Sequence, residues 1–472
     1  AALARELGRE RGAEELIRQV NQVYDTLIAE VHRYGGSVIG FSGDAITCWF
    51  SDALIAAGDH PGSASPGCAQ DMRGRTREAA SDDQVEAIAE AGLQAVACAL
   101  AMQRVMEPFA SVSTPQGASF ALGIKVAVVT GDARRFLVGD AQIRKIEVLA
   151  GGMLDRLARA ERCAGRGEVI IEAQIAEQAG GQVIVSDWHQ DGATGQRFAM
   201  ISGLTEPAPP RPWPELPPHS LADDQCRPWL LPSVYQRLCG GGQLSLAELR
   251  PVTALFLRFG GIDYDADDRA GDKLEAFVCW VQEVINGHKG SLIQLTTGDK
   301  GSYLYAAFGA PVAHEADAIR AVYAALALQA PPRELAYLSG FQIGVALGQM
   351  RTGAYGSTTR RTYGAIGEAT NLAAGLMMAA KEGILCDEAV YQATHTRLAF
   401  EALPPIAVKG RAEPVPVFRP LPTSAESAIH SQIDRLPASH LLTLKVASVV
   451  GRTVSRDVLE AVFPLDAGSA ER

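Results

Sequence analysis

At 472 residues the chain is long enough for two or three domains, and 47% hydrophobic with 21% charged residues gives each of them core material. A formal net charge of −11 leaves no basic excess to neutralise phosphate backbones, which argues against a nucleic-acid binder. No run of about eighteen apolar residues suggests a membrane span, so a protein with neither nucleic-acid nor membrane partners is expected.

The opening AALARELGRERGAEEL is a charged helical pattern, not a secretory leader, and it lacks an initiator Met, as expected of a segment of a longer chain. Leu16, Val20, Val23, Leu27 and Val31 recur at three- and four-residue steps and predict a helix to about residue 33. Gly35-Gly36 then turns into a strand over Ser37–Phe41. Ser42-Gly43-Asp44 makes a tight turn, and Ala45–Phe50 returns as the second strand of a hairpin with Asp44 at its tip. Residues 51–82 lack periodicity and read as a loop insertion. A helix is predicted from Gln84 to Phe109, strands over 119–130, 134–138 and Val148–Gly152, and a helix over Met153–Ala164. Strand Val169–Glu172 and a closing pair near 182–201 complete a unit spanning 1–204. Residues 205–247, with nine prolines by 232 and a glycine run at 240–242, read as a linker with little regular structure.

From Arg250 the pattern restarts. RPVTALFLRFGGI is an apolar strand, 272–287 a helix, and Gly290–Ile293 leads into a second hairpin, LTTGDKGSYLYAAFGAP. Helix 314–329 precedes two β-type runs, Phe341–Leu347 and Met350–Tyr355, joined through Gly348, and then Thr362–Ile366 and a helix bearing Asn371. RYGGSVIGFSGDAITCWF answers GHKGSLIQLTTGDKGSYLYAAF, LGIKVAVVTG answers FQIGVALG, and IEVLAGGMLDRLARA answers TYGAIGEATNLAAGL. Three blocks repeating in order make the chain a tandem duplication, with the second unit at 248–421. A tail over 422–472 has helical spacing and is expected to be helical or winged-helix-like. Eight scattered cysteines without a CxxC pair fit free thiols in a reducing cytoplasm, and nine histidines show no metal spacing. No P-loop motif occurs.

The GD hairpin, RRTYGAIGEATNLAA and VKGRAEP together resemble the class III nucleotidyl cyclases. The tandem arrangement, RPVT and VKGRAEPVPVF look most like soluble adenylyl cyclases of the bicarbonate-responsive type, over roughly residues 1–420. The resemblance implies an α/β fold (α+β, with a ferredoxin-like core), two domains paired about a pseudo-twofold axis, and nucleotide bound between them. The implied reaction turns ATP into 3′,5′-cyclic AMP and pyrophosphate with two Mg²⁺ or Mn²⁺ ions. The tail resembles the helical segment after the regulatory ATPase region of such proteins, so a downstream ATPase region is a further expected partner.

Carried over residue by residue, Asp44 matches the hairpin metal aspartate; as a plain turn Asp it would instead satisfy local N–H groups. The second metal aspartate is expected on a strand preceding Ala1. In the second unit the corresponding positions are Arg258 and Ser302, which hold no divalent ion, so one competent and one degenerate site are expected. Lys300 matches the purine-recognising lysine and Asn371 the ribose-orienting asparagine, against readings as a solvated lysine and a helix N-terminal Asn. Lys409 is either a terminal-phosphate contact or a solvated turn lysine. Gly364 stands where an adenine-recognising Asp or Thr is usual, and Gly375 where a transition-state arginine is usual. Asp155 and Arg159 are expected to face Arg258 and Ser302 in the degenerate pocket. There the activator lysine and arginine positions fall at Gly40 and Ala158, so no bicarbonate response is expected. The leading expectation is a cytoplasmic adenylate cyclase using Asp44, Lys300, Asn371 and Lys409. The alternative is a catalytically degenerate pair acting as a nucleotide- or effector-binding regulatory module.

Overall fold

The computed structural model describes residues 11–43, 45–51, 82–113, 119–214, 217, 220–241, 248–298, 301–408, 411 and 413–422. The second half is built on β11 (Glu248–Gly260), whose central residues are buried on both faces. Leu255, Leu257 and Phe259 enter one core while Val252, Ala254 and Phe256 enter the other, the period-2 alternation of a strand covered on both sides. On the first face lie α7 (Ala270–Gly287) and α8 (Asp317–Leu328); on the second lies α9 (Glu368–Ala379).

The sheet runs β12 (Ser291–Thr296), β13 (Ser302–Phe308), β11, β14 (Ser339–Gly356), β16 (Gly383–Asp387), β18 (Val415–Pro420), β17 (Phe400–Ile406), with β15 (Arg361–Ile366) on the far end of β14. Every pairing is antiparallel except β14 with β16. The short helix α10 (Glu388–Thr394) follows β16, capped by the Asp387 carboxylate, which accepts from Val390 N. β14 is one continuous strand, where two runs broken at Gly348 were expected. Gly348 pairs with Val252, and its missing side chain admits Ala369 of α9, so the glycine serves close helix–sheet packing and makes no break.

The first half has the same parts. Helix α1 (Arg11–Arg33) buries Tyr24, Leu27, Ile28 and Val31 against α2 (Asp82–Val105), the stripe its heptad-like spacing requires. Strands β1 (Ser37–Ser42) and β2 (Ala45–Trp49) form the expected hairpin. A two-residue pair, β3 (Val112–Ser113) with β4 (Ser119–Phe120), leads to β5 (Val126–Val128), and β6 (Arg134–Val138) pairs with β7 (Ile146–Ala150). Then come α3 (Gly152–Cys163), β8 (Val169–Glu172), α4 (Ala173–Gln178), β9 (Val183–Gln190) and β10 (Arg197–Leu204). The order β5-β8-β10-β9, with β5 and β8 parallel, repeats β14-β16-β18-β17.

Side-chain packing repeats as well. A Cβ on Gly36 would meet the Phe50 ring at 2.6 Å and Val31; a Cβ on Gly290 would meet the Phe308 ring at 2.6 Å and Ile285. Both hairpins carry a bulge, at Ile39 and at Ile293. The halves also differ: β11 pairs with both β13 and β14, but among the described residues no strand pairs with both β2 and β5, and β14 is continuous where β5 and β6 are separate strands. The first half therefore divides into a β1–β2 pair and a separate four-stranded sheet. The strand expected over 119–130 is interrupted between Phe120 and Val126. Its Ile124 carbonyl accepts instead from Gly167 N and Gln103 Nε2.

The segment after β10 is better ordered than its proline content suggested. It contains α5 (Asp223–Cys226) and α6 (Pro232–Cys239), and Val234 of α6 enters the second-half core. Trp213 Nε1 donates to Gly36 O, and Arg227 donates to Ala141 O and Gln142 O, which ties the segment to the first half. The expected helical tail lies outside the described residues.

Candidate functional site between the two halves

Each half extends an arm onto the other. The β6–β7 arm lays its loop on α7: Gly139 N donates to Glu275 Oε2 at 2.6 Å, Asp140 N to Gln282 Oε1 at 2.7 Å, and Lys145 pairs with Glu275 at 2.9 Å. Gly139 has φ +105, and a side chain there would strike Gln282 and Arg144 O. The β14–β15 arm lays its loop on α1: Gly356 N donates to Asn21 Oδ1 at 3.2 Å and Thr358 N to Asp25 Oδ1 at 2.6 Å. The exchange is reciprocal, helix for helix, and it defines a pseudo-twofold relation between the halves.

Along the second arm's seam three rings converge. Tyr24 and Phe41 lie edge-on at 5.3 Å, and Phe41 and Tyr355 at 5.5 Å. Tyr24 OH donates to Gly43 O at 3.1 Å, so α1 steadies the hairpin turn immediately before Asp44. Across the seam, Asn371 is exposed in the first turn of α9. Asp44, Lys300 and Lys409 lie outside the described residues, so of the four expected site residues the structure describes Asn371 alone.

The two glycine departures have a spatial counterpart that sequence reasoning did not find. A Cβ on Gly364 would come within 2.5 Å of Tyr355 Cε1, and a Cβ on Gly375 within 2.5 Å of Val408 Cγ1. The volumes where the resemblance puts a base-recognising side chain and a charged donor are filled by a buried tyrosine and a buried valine. Burial pushes the Tyr355 hydroxyl up to about 12. Next to Val408, Arg411 pairs with Glu368 of α9 at 2.8 Å.

No protein-family model matches the chain. Over 176 residues, 37% of the chain, it is 30% identical to adenylate cyclase type 10 of Rattus norvegicus and 28% identical to that of Homo sapiens. That stretch is homologous to adenylate cyclase type 10. It covers 11% of either relative, so the chain spans a small part of their length. Among solved structures, the adenylyl cyclase CyaB from P. aeruginosa is similar with a TM-score of 0.34 and 21% identity, over 38% of this chain and 97% of that one. The guanylyl cyclase Cya2 gives 0.35 and 23%, over 38% and 95%.

On the face of the second half that carries Arg258 and Ser302, the side chains bond to one another. Arg258 donates to Gln342 Oε1 at 3.1 Å and lies against Gly301, while Ser302 shares a 3.0 Å hydrogen bond with Tyr264 OH. Asp265 accepts from Gly152 N at 2.9 and 3.1 Å, so a carboxylate of the second half sits on the N-terminus of α3. Arg134 reaches the carbonyls of Tyr264 and Asp267. Arg159, expected to face Arg258 and Ser302, instead donates to Gln196 Oε1 at 2.9 Å within its own half, because Glu172 draws Arg156 and Gln196 into one buried network there.

A divalent cation needs several hard oxygen ligands. No group of three or more metal-ligating side chains occurs among the described residues, and the hairpin supplies the single carboxylate of Asp44. The described residues alone do not supply a full ligand set for Mg²⁺ or Mn²⁺. No helix among the described residues is long and apolar enough to cross a membrane.

Proposed function

We propose that the chain is the paired-domain core of an adenylate cyclase, converting ATP to cyclic AMP and pyrophosphate at the interdomain face that carries Asp44 and Asn371. The reciprocal arm clamp supports this reading, because it ties the first-half hairpin strand β1 and helix α1 to the second-half β14–β15 arm that leads into α9, and a nucleotide site shared between the halves needs such a junction. Asn371 orients the ribose, Lys300 donates to the purine ring, and Lys409 meets the terminal phosphates. The two-metal chemistry of the resemblance needs a second carboxylate besides Asp44. Cyclic AMP made here would serve intracellular signalling, with a downstream ATPase region as a regulatory partner.

One observation favours a second reading. Tyr355 and Val408 fill the spaces over Gly364 and Gly375, which suits a pair that holds nucleotide without turning it over. Incubating the longest natural form of the chain with ATP or GTP and Mn²⁺ separates the two. Cyclic nucleotide that disappears in Asp44→Ala supports the enzyme; nucleotide binding without product supports the regulatory module.

A further inference from the structure

The loop after β11, residues 261–269, is fixed from both halves. Its root is tight: Gly261 has φ +95, and a Cβ there would strike Tyr337 O. Asp263 Oδ1 accepts from Asp265 N at 3.0 Å and from Ala266 N at 2.9 Å, which sets the turn, and Asp267 pairs with Lys273 at 2.6 Å. The first half then grips the loop. Asp265 accepts from Gly152 N at 2.9 and 3.1 Å, and Arg134 donates to the carbonyls of Tyr264 at 3.3 Å, Asp267 at 2.6 Å and Asp268 at 3.4 Å. The Phe136 ring, with Arg134 over it at 5.2 Å, lies 6.1 Å from the ring of Tyr264.

From the loop the contacts lead into the second hairpin. Tyr264 is half-buried, and its hydroxyl shares a 3.0 Å hydrogen bond with Ser302 Oγ at the start of β13. On the other stem Thr297 Oγ1, just past β12, donates to Leu149 O of β7. Gly301 N donates to Gly298 O at 2.8 Å, so the stems close on a turn whose sequence is Gly-Asp-Lys-Gly. The hairpin is therefore held on both stems: directly by β7, and through the loop by the start of α3. Leu149 and Gly152, which make these two contacts, sit at the junction of β7 and α3. The first hairpin is also steadied by a tyrosine, but Tyr24 belongs to its own half. Tyr264 instead rides on a loop that the other half seats.

We propose that the 261–269 loop is a relay from domain pairing to the second hairpin. Pairing seats Asp265 on α3 and Arg134 on the loop carbonyls; the seated loop presents Tyr264 to Ser302, and this sets the hairpin. Asp265 and Tyr264 are positioning residues, acting through the hairpin stem. Lys300 lies in the hairpin turn, so base recognition would depend on pairing. That consequence rests on the reading of Lys300 as the purine contact, and the mechanical link does not.

Hydrogen–deuterium exchange of the whole chain, read in peptides spanning 261–269 and 291–308, tests the link. Asp265→Ala is expected to speed exchange in both segments about threefold or more. Asp265→Asn, which keeps an acceptor oxygen, should largely restore the parent rates. Tyr264→Phe removes only the hydroxyl and should speed exchange in 291–308 while leaving 261–269 as in the parent. Glu382→Ala, at an exposed acid before β16, should change neither segment. Asp265 is exposed and Phe keeps the ring of Tyr264, so either variant carries the test should the other fail to fold. Calorimetric ATP affinity reads the consequence, with binding about tenfold weaker expected in Asp265→Ala. Faster hairpin exchange with unchanged ATP affinity upholds the relay and removes Lys300 as the purine contact. Hairpin exchange that stays at the parent rate in Asp265→Ala and in Tyr264→Phe overturns the relay, whatever the ATP result.

Discussion

Gly375 shows how much one missing side chain depends on its surroundings. It sits inside α9, where Gly costs about 1 kcal/mol of helix propensity relative to Ala. Its absent Cβ is nonetheless matched by Val408, 2.5 Å from where that atom would be. Gly375→Ala therefore gains propensity but overpacks the buried valine, at roughly 1–3 kcal/mol. A net loss of about 1 kcal/mol is expected in chemical denaturation, and Val408→Ala in the same chain should reverse it. For the same reason Gly375→Arg alone should not give an arginine aimed at a nucleotide. Its side chain needs the space Val408 holds, so any gain in cyclase activity should require both substitutions. Gly364 is the parallel case, with the Tyr355 ring lying over it.

At the scale of one element, β16 and α10 meet at Asp387. Its carboxylate caps α10 through Val390 N and accepts weakly from Leu347 N at 3.4 Å, yet it is 6% exposed. Burial raises its pKa to about 6, against the lowering effect of these bonds and of Arg411. A carboxyl whose folded pKa exceeds its unfolded one binds more protons when folded. Its stabilising contribution is full below about pH 4 and is lost as pH rises through about 6. Relative to Asp387→Asn, which does not titrate, the parent chain should lose stability across this window. Urea midpoints of the two proteins at pH 4, 5, 6 and 7 measure that difference; a constant gap would mean the shift is absent. Asp387→Ala should cost about 1 kcal/mol at pH 4 through the lost cap, a cost that shrinks as pH rises through about 6.

For the whole molecule, the reciprocal arms tie the two halves together. Glu275 accepts from Gly139 N and pairs with Lys145, while Asp25 accepts from Thr358 N. Removing such a charged acceptor leaves a donor unmet and costs about 1–3 kcal/mol. Glu275→Ala with Asp25→Ala should loosen both arms together. Limited proteolysis is expected to cut earlier within 139–145 and 357–360, and any cyclase activity should fall with the pairing. If cleavage there is unchanged while the fold is intact, the arms do not hold the pair.

The sequence by itself determined the elements and the duplication. Periods of 3.6 and 2 lie in α1, α7 and β11, the hairpins announce themselves by their glycine turns, and the repeated blocks predict equivalent packing that Gly36–Phe50 and Gly290–Phe308 display. These signals are legible because each arises among residues close in the chain. The candidate site was legible only in part: Asn371 could be named, and the glycines at 364 and 375 could be seen as departures. That Tyr355 and Val408 occupy their space could not be read. Nor could the continuity of β14 or the seat of Asp265 on the end of α3. Gly364 and Tyr355 face each other across two paired strands, and the other pairs lie tens of residues or more apart along the chain. Their contact is set by how sheet, helix and arm pack in space, which the tertiary structure alone decides.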